Sequence, residues 1–322
     1  MSDRPPHPAG LLTTMVRGAL TSPFKPAVSA DAPLPAGRLT LPGARIHPGR
    51  LAAYAQICGF DRTGPLPLTY PHVLGFPAAM RLMTARAFPL PVLGLVHTGI
   101  EITRHRALPA DHAPELSVYA DGLRPHRRGT EVVMVTEARL AGELVWESRS
   151  RYLARHRTSD AHPEVRTDDA RSQRTDDAQP HRTDDDATVD TAATTGTATG
   201  TSIGTATATA TWELPAGLGR RYGAASGDRN PIHLSPLTAR LFGFPRAIAH
   251  GMWTAARCLA EAGTPDAVRV RIGFRAPVLL PGTVTYTADP GAGTFRLLSR
   301  GREGAERIHL TGEVTAPSAP RS

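Results

Sequence analysis

Residues 222–252 read YGAASGDRNPIHLSPLTARLFGFPRAIAHGM, and the punctuation of that stretch decides how the chain around it folds. Pro231 removes an amide donor and drives Asn230 into extended backbone, so no helix runs through the segment. Asp228 and His233 therefore flank a tight turn, where a carboxylate and an imidazole can converge on one water as general base and general acid. The same spacing also suits a plain turn in which Asp228 caps and His233 packs beside it. Ser235-Pro236 reads as the N-cap and first position of a short helix ending at Gly243. His250-Gly251-Met252 then opens a second helix, on which Met252, Ala255, Ala256, Leu259 and Ala260 share an apolar face up to Gly263. Gly251 lacks a side chain and its amide falls in the first turn, unpaired and at the positive end of the helix dipole. That is a place for a polarised carbonyl oxygen; tight packing of the glycine against a sheet is the alternative.

Working outward, Val268, Val270, Ile272 and Phe274 alternate with Arg269, Arg271, Gly273 and Arg275, the pattern of a half-buried strand with a basic outer face. Pro281-Gly282 marks a turn, and strand-like runs at 283–287, 295–299 and 307–314 complete the block. The N-terminal block repeats this order. Apolar helical sequence from Phe76 to Ala85 precedes runs at 93–104, 116–120, 130–139 and 143–153. One helix followed by several antiparallel strands, twice over, predicts an α+β protein made of two units, each a sheet wrapped around a helix.

The run SGDRNPIH followed by GFPRAIAHGM resembles the motif of the MaoC-like (R)-specific enoyl-CoA hydratases, the hydratase 2 group, and GFRAPVLLPGTV at 273–284 is similar to that family's strand and turn after the central helix. The similarity covers roughly residues 220–290. It implies a tandem (double) hot-dog fold, an antiparallel sheet around a central helix in each half. It implies that Asp228 and His233 activate the water added to C3 of a trans-2-enoyl thioester, with the Gly251 amide holding the thioester oxygen. Asn230, Ser226 and His250 match supporting positions. No metal or redox cofactor is implied. The substrate would be an acyl-CoA or an acyl-carrier-protein thioester, whose phosphates would meet arginines such as Arg275 and Arg246. A thioesterase on the same fold and a non-catalytic acyl-thioester-binding subunit are the competing readings. At the corresponding place the N-terminal half has GFDRTGPLPLTYPHVLGFPAAM, without D-x-N-P-x-x-H. Neither Asp61 nor His72 has a partner at matching spacing, so one site per chain is expected, with GFPAAMRLM available to line an acyl tunnel.

The expected organisation is a flexible leader (1–45), a degenerate hot-dog domain (46–155), a disordered low-complexity linker (156–211) and a catalytic hot-dog domain (212–318). The leader is Pro- and Ala-rich, with one short helix near Leu11 to Leu20. The linker carries RTDDA at 166–170 and 174–178, RTDDDA at 182–187, then a Thr/Ala/Gly tract, too poor in apolar groups to offset its ordering entropy. With 40% hydrophobic residues in 322, the chain as a whole can still bury a core. The net charge of +8 invites a nucleic-acid reading, but lysine occurs only at Lys25 and aromatics are 5%, which points to scattered surface arginines instead. Residues 212–322 hold 14 arginines against 8 acids, so the surplus concentrates there. Two distant cysteines, Cys58 and Cys258, fit a reducing compartment. No apolar run approaches the ~20 residues of a membrane span, and MSDRPPHPAG lacks the features of a signal peptide. A cytoplasmic protein without a membrane or nucleic-acid partner is expected, and the reading leaves room for a homodimer.

Overall fold

The computed structural model describes residues 32–35, 37–92, 94–156, 208–301 and 304–317. The N-terminal half comprises β1 (Leu39–Leu41), helices α1 (Pro48–Cys58) and α2 (Tyr70–Met83), and strands β2 (Val96–Arg104), β3 (Glu115–His126), β4 (Gly129–Leu140) and β5 (Glu143–Arg155). The C-terminal half comprises β6 (Ala208–Leu214), α3 (Leu218–Ser226), a 3-10 turn (Pro231–His233), α4 (Pro236–Arg240), α5 (Gly251–Ala262), and strands β7 (Val268–Phe274), β8 (Gly282–Asp289), β9 (Thr294–Arg300) and β10 (Glu306–Thr315).

All ten strands form one antiparallel sheet in the order β1-β3-β4-β5-β2-β7-β10-β9-β8-β6. The halves join where β2 pairs with β7, Gly99 opposite Gly273 through Arg104 opposite Val268. The alternation in β7 works as the sequence predicts. Val268, Val270 and Ile272 are buried, each worth about 1.5–3 kcal/mol of transfer free energy. On the outer face, Arg269 and Arg271 both bind Glu101 of β2, at 2.7 and 3.2 Å, so the basic face is partly neutralised across the seam.

The duplication is deeper than strand count. Helices α1 and α3 each end on a glycine in left-handed backbone, Gly59 (φ 80°) and Gly227 (φ 87°), a conformation that glycine alone adopts freely. Five residues before each glycine stands a buried tyrosine, Tyr54 and Tyr222, and the two rings meet with centroids 5.9 Å apart. Trp253 of α5 reaches across to donate its Nε1–H to the Ile57 carbonyl of α1 at 2.9 Å. One apolar cluster accordingly draws on both halves.

Several boundaries differ from the sequence expectation. Strand β1 lies inside the stretch assigned to the leader, because Leu39–Leu41 add to the free edge of β3. Strand β6 begins at Ala208, ahead of the expected domain start at 212, since the Thr/Ala tract's last residues pair with β8. Helix α2 starts at Tyr70 rather than Phe76. The expected helix at Leu11 to Leu20 and nearly all of the expected linker lie outside the described residues.

Candidate active site

Helix α3 sets the site by what it lacks. A Cβ on Gly219 would strike the His233 carbonyl oxygen, and one on Gly223 would come within 2.7 Å of the Asp228 carbonyl oxygen. Four residues apart, these glycines form a bare stripe on which the following loop lies. Gly227 then turns the chain, and the Asp228 amide donates to Ser226 Oγ at 3.2 Å, while Ser226 Oγ–H donates to the Tyr222 carbonyl at 2.9 Å. Asp228 Oδ1 accepts from the Asn230 amide at 3.2 Å. Asn230 is extended before Pro231 (ψ 127°) and accepts through Oδ1 from the Ile232 amide. Ser235 caps α4 through the Thr238 amide.

His233 is buried and its Nδ1 lies 2.8 Å from the Ile248 carbonyl oxygen. A carbonyl only accepts, so Nδ1 carries the proton and Nε2 presents a lone pair. By the same logic His250 Nε2–H donates to the Asp228 carbonyl at 2.9 Å. One donor atom each of Asp228, His233 and His250 lies within 4.8 Å of the others. That spacing suits a shared water, and it is also one at which a metal ion could be gripped. The Asp228 carboxyl is pushed up by burial, offset by the His233 charge and the Asn230 amide. His233 is pushed down by burial, offset by Asp228, and His250 is held well below the usual imidazole range by burial and by His233.

Gly251 opens α5, and among the described residues its amide has no carbonyl partner. A Cβ there would lie 3.3 Å from the Phe274 ring, so the glycine keeps open a narrow space above a free N–H. The wall of that space includes residues from the other half. His97 of β2 packs on Phe274 with centroids 4.9 Å apart and stacks on Tyr152 of β5 at 4.5 Å, while burial, and then the Asp228 carboxylate, raise the Tyr152 hydroxyl. Nothing local in the sequence marks Tyr152 or His97, because they arrive from another half of the chain. The Gly219-x3-Gly223 spacing is itself a sequence signal for close helix–loop approach.

The remaining candidates separate from this cluster. Arg246 is exposed and donates to the Pro281 carbonyl at 3.1 Å; Arg275 faces the outer side of the sheet beside Gly273. The N-terminal half arranges the corresponding stretch differently. Tyr70 stands at the start of α2 and its amide is already bonded to the Pro67 carbonyl at 2.8 Å. Asp61 is exposed and turned onto the Thr63 amide and hydroxyl. The GFPAAM segment falls within α2, whereas GFPRA precedes α5, so their likeness is not a structural equivalence; α1–Gly59–Asp61 is the counterpart of α3–Gly227–Asp228. Gly75, in that segment, packs on Thr136 and Val118 of the sheet.

Residues 194–289 match the family described as MaoC like domain. The 3-hydroxyacyl-thioester dehydratase X of Mycobacterium tuberculosis is 35% identical over 316 residues, covering 96% of this chain and 98% of that protein. Among solved structures, the crystal structure of HtdX of Mycobacterium tuberculosis superposes with a TM-score of 0.65 at 32% identity, over 87% of this chain and 100% of that one. A MaoC-like dehydratase from Phytophthora capsici superposes with a TM-score of 0.61 over 91% of this chain and 100% of that one, at 19% identity, which speaks to the fold alone.

Proposed function

The chain belongs to the MaoC-like dehydratase family, a double hot-dog hydro-lyase acting on enoyl thioesters, and from that premise we propose that Asp228 and His233 carry the chemistry. They interconvert a trans-2-enoyl thioester and water with the (R)-3-hydroxyacyl thioester. In the hydration direction one water sits between the Asp228 carboxylate and His233 Nε2, each accepting a hydrogen bond from it. As the water oxygen bonds to C3, its proton passes to the pair, and the electrons of the C2–C3 double bond move into the carbonyl. The free Gly251 amide holds the oxygen of that enolate. The proton returns from the pair to C2, so nothing is consumed beyond water. His250 and Ser226 act as positioning residues, fixing the Asp228 backbone, and Asn230 orients the carboxylate through its amide.

The observation that carries this reading is the His233 tautomer. Its Nδ1–H is committed to the Ile248 carbonyl, which leaves a base aimed at the same space as the carboxylate. The mechanism calls on no metal or redox group. One site per chain follows from the bonded Tyr70 amide and the outward Asp61. The carrier is CoA or an acyl carrier protein, and a cytoplasmic location agrees with the absence, among the described residues, of any helix long and apolar enough to cross a membrane.

Incubation of the purified protein with crotonyl-CoA tests this directly. Loss of enoyl-thioester absorbance without release of free thiol is expected. Thiol release would make the protein a thioesterase, and tight binding with neither change would make it a binding subunit.

A further inference from the structure

On the outer face of the sheet, over the β2–β7 seam, lies a cavity of about 410 Å³ lined by five arginines, Arg124, Arg149, Arg151, Arg271 and Arg275. Its two carboxylates, Glu101 and Glu313, are already engaged with Arg269 and Arg271, and Arg149 is paired with Asp121. Among the described residues no carboxylate pairs with Arg124, Arg151 or Arg275. The floor of the cavity is built for them. Gly99 and Gly273 face each other across the seam, and the missing side chains leave bare backbone. A Cβ on Gly99 would fall 2.5 Å from Arg151 Nη2, and one on Gly273 would lie 3.5 Å from Arg275 Cζ. One guanidinium from each half thus rests over its own glycine.

Three uncommitted guanidiniums sharing one concavity repel each other, and a ligand with several anionic oxygens relieves that repulsion while matching the planar donor forks. The volume is that of a small-molecule site, and the charged lining is unsuited to an acyl chain. We propose that this groove binds a phosphate-bearing small anion, the chemistry shared by the nucleotide end of an acyl-CoA and by a free nucleotide. Arg275 directly follows Phe274, whose ring covers Gly251 from the inner face. The groove therefore adjoins the catalytic helix start through one strand end. Only the assignment of the anion to a substrate carrier rests on the hydratase reading; the site itself does not.

Calorimetric titration of the full chain with pyrophosphate and with adenosine 3′,5′-bisphosphate tests it without any turnover. Saturable binding that weakens as salt is raised is expected, with at least a tenfold loss in the R151Q/R275Q double variant at an unchanged unfolding temperature. Should that variant unfold, R124Q alone is expected to weaken binding about threefold. Competitive inhibition of crotonyl-CoA hydration by the bisphosphate assigns the groove to the carrier; non-competitive inhibition assigns it to a separate nucleotide. Absence of binding, or wild-type affinity in a folded variant, overturns the proposal.

Discussion

The imidazole rings of His233 and His250 stack with centroids 3.7 Å apart and planes 27° from parallel. Two protonated rings at that distance would repel strongly in a buried site, so they are not protonated together, and burial pushes each below the usual imidazole range. Each ring also spends one N–H on a backbone carbonyl, His233 on Ile248 and His250 on Asp228. The stack therefore clamps the loop that carries Asp228 against the strand-like segment before α5, and it leaves His233 Nε2 as a base.

Replacing Asp228→Asn or His233→Ala removes one acceptor of the water. Each is expected to lower turnover of crotonyl-CoA by about 10²–10⁴, and the double variant by little more than the worse single one, because the two act on one water. The absorbance assay measures the rate and circular dichroism the fold. Full activity in either folded variant would sink the catalytic assignment.

The pH profile of hydration follows from which forms work. Asp228 must be ionised and His233 neutral. Burial pushes the first group up and the second down. Lowering the pH through the raised Asp228 value protonates the carboxylate, so kcat/KM is expected to fall on the acid side and to be level near neutrality. A rate that climbs as pH drops from 7 to 5 would contradict these roles.

Acid stability is expected to be poor. Burial lowers His72 to about 4 and His97 to about 3, while the unfolded chain titrates near 6.5. Below that value the unfolded state takes up protons that the native state refuses, so stability is lost as pH falls from about 6.5 towards 4. Each such imidazole contributes a slope of about 1.4 kcal/mol per pH unit. Asp228 works the other way: its raised native value adds stability that is fully present below about 3.8 and is lost as pH rises through the native value. Thermal midpoints measured from pH 7 to 4 should fall steeply, and His72→Phe should flatten the curve. A midpoint independent of pH across that range would refute it.

The glycine stripe of α3 gives a sharper structural test. Gly219→Ala places a methyl group on the His233 carbonyl and Gly223→Ala places one 2.7 Å from the Asp228 carbonyl. Overpacking of this kind costs about 1–3 kcal/mol and shifts the Asp228 and His233 side chains. Both variants should lose most activity, Gly219→Ala more, with denaturant titration reporting the stability change. Wild-type rates in Gly219→Ala would show that the loop does not depend on this approach.

Much of the fold was legible because β7 alternates cleanly and Gly263 stops α5 where the apolar stripe ends. The convergence of Asp228 and His233 was legible because Asn230-Pro231 forces a turn between them. Helices α1 and α3 were not foreseen: α3 carries Gly219 and Gly223, poor helix formers whose value appears only against the loop they admit. His97 and Tyr152 were invisible because tertiary pairing of β2 with β5, not sequence distance, brings them to Phe274.

The seam between β2 and β7 has a kinetic meaning as well. A site walled by His97 and Tyr152 from one half and by Gly251 and Phe274 from the other would, if built from two separate polypeptides, depend on their concentration. Here the partner strand is always at hand, at an effective concentration set by the covalent chain. Specific activity per chain should therefore hold constant on dilution, and the two halves can diverge in sequence without ever being separated.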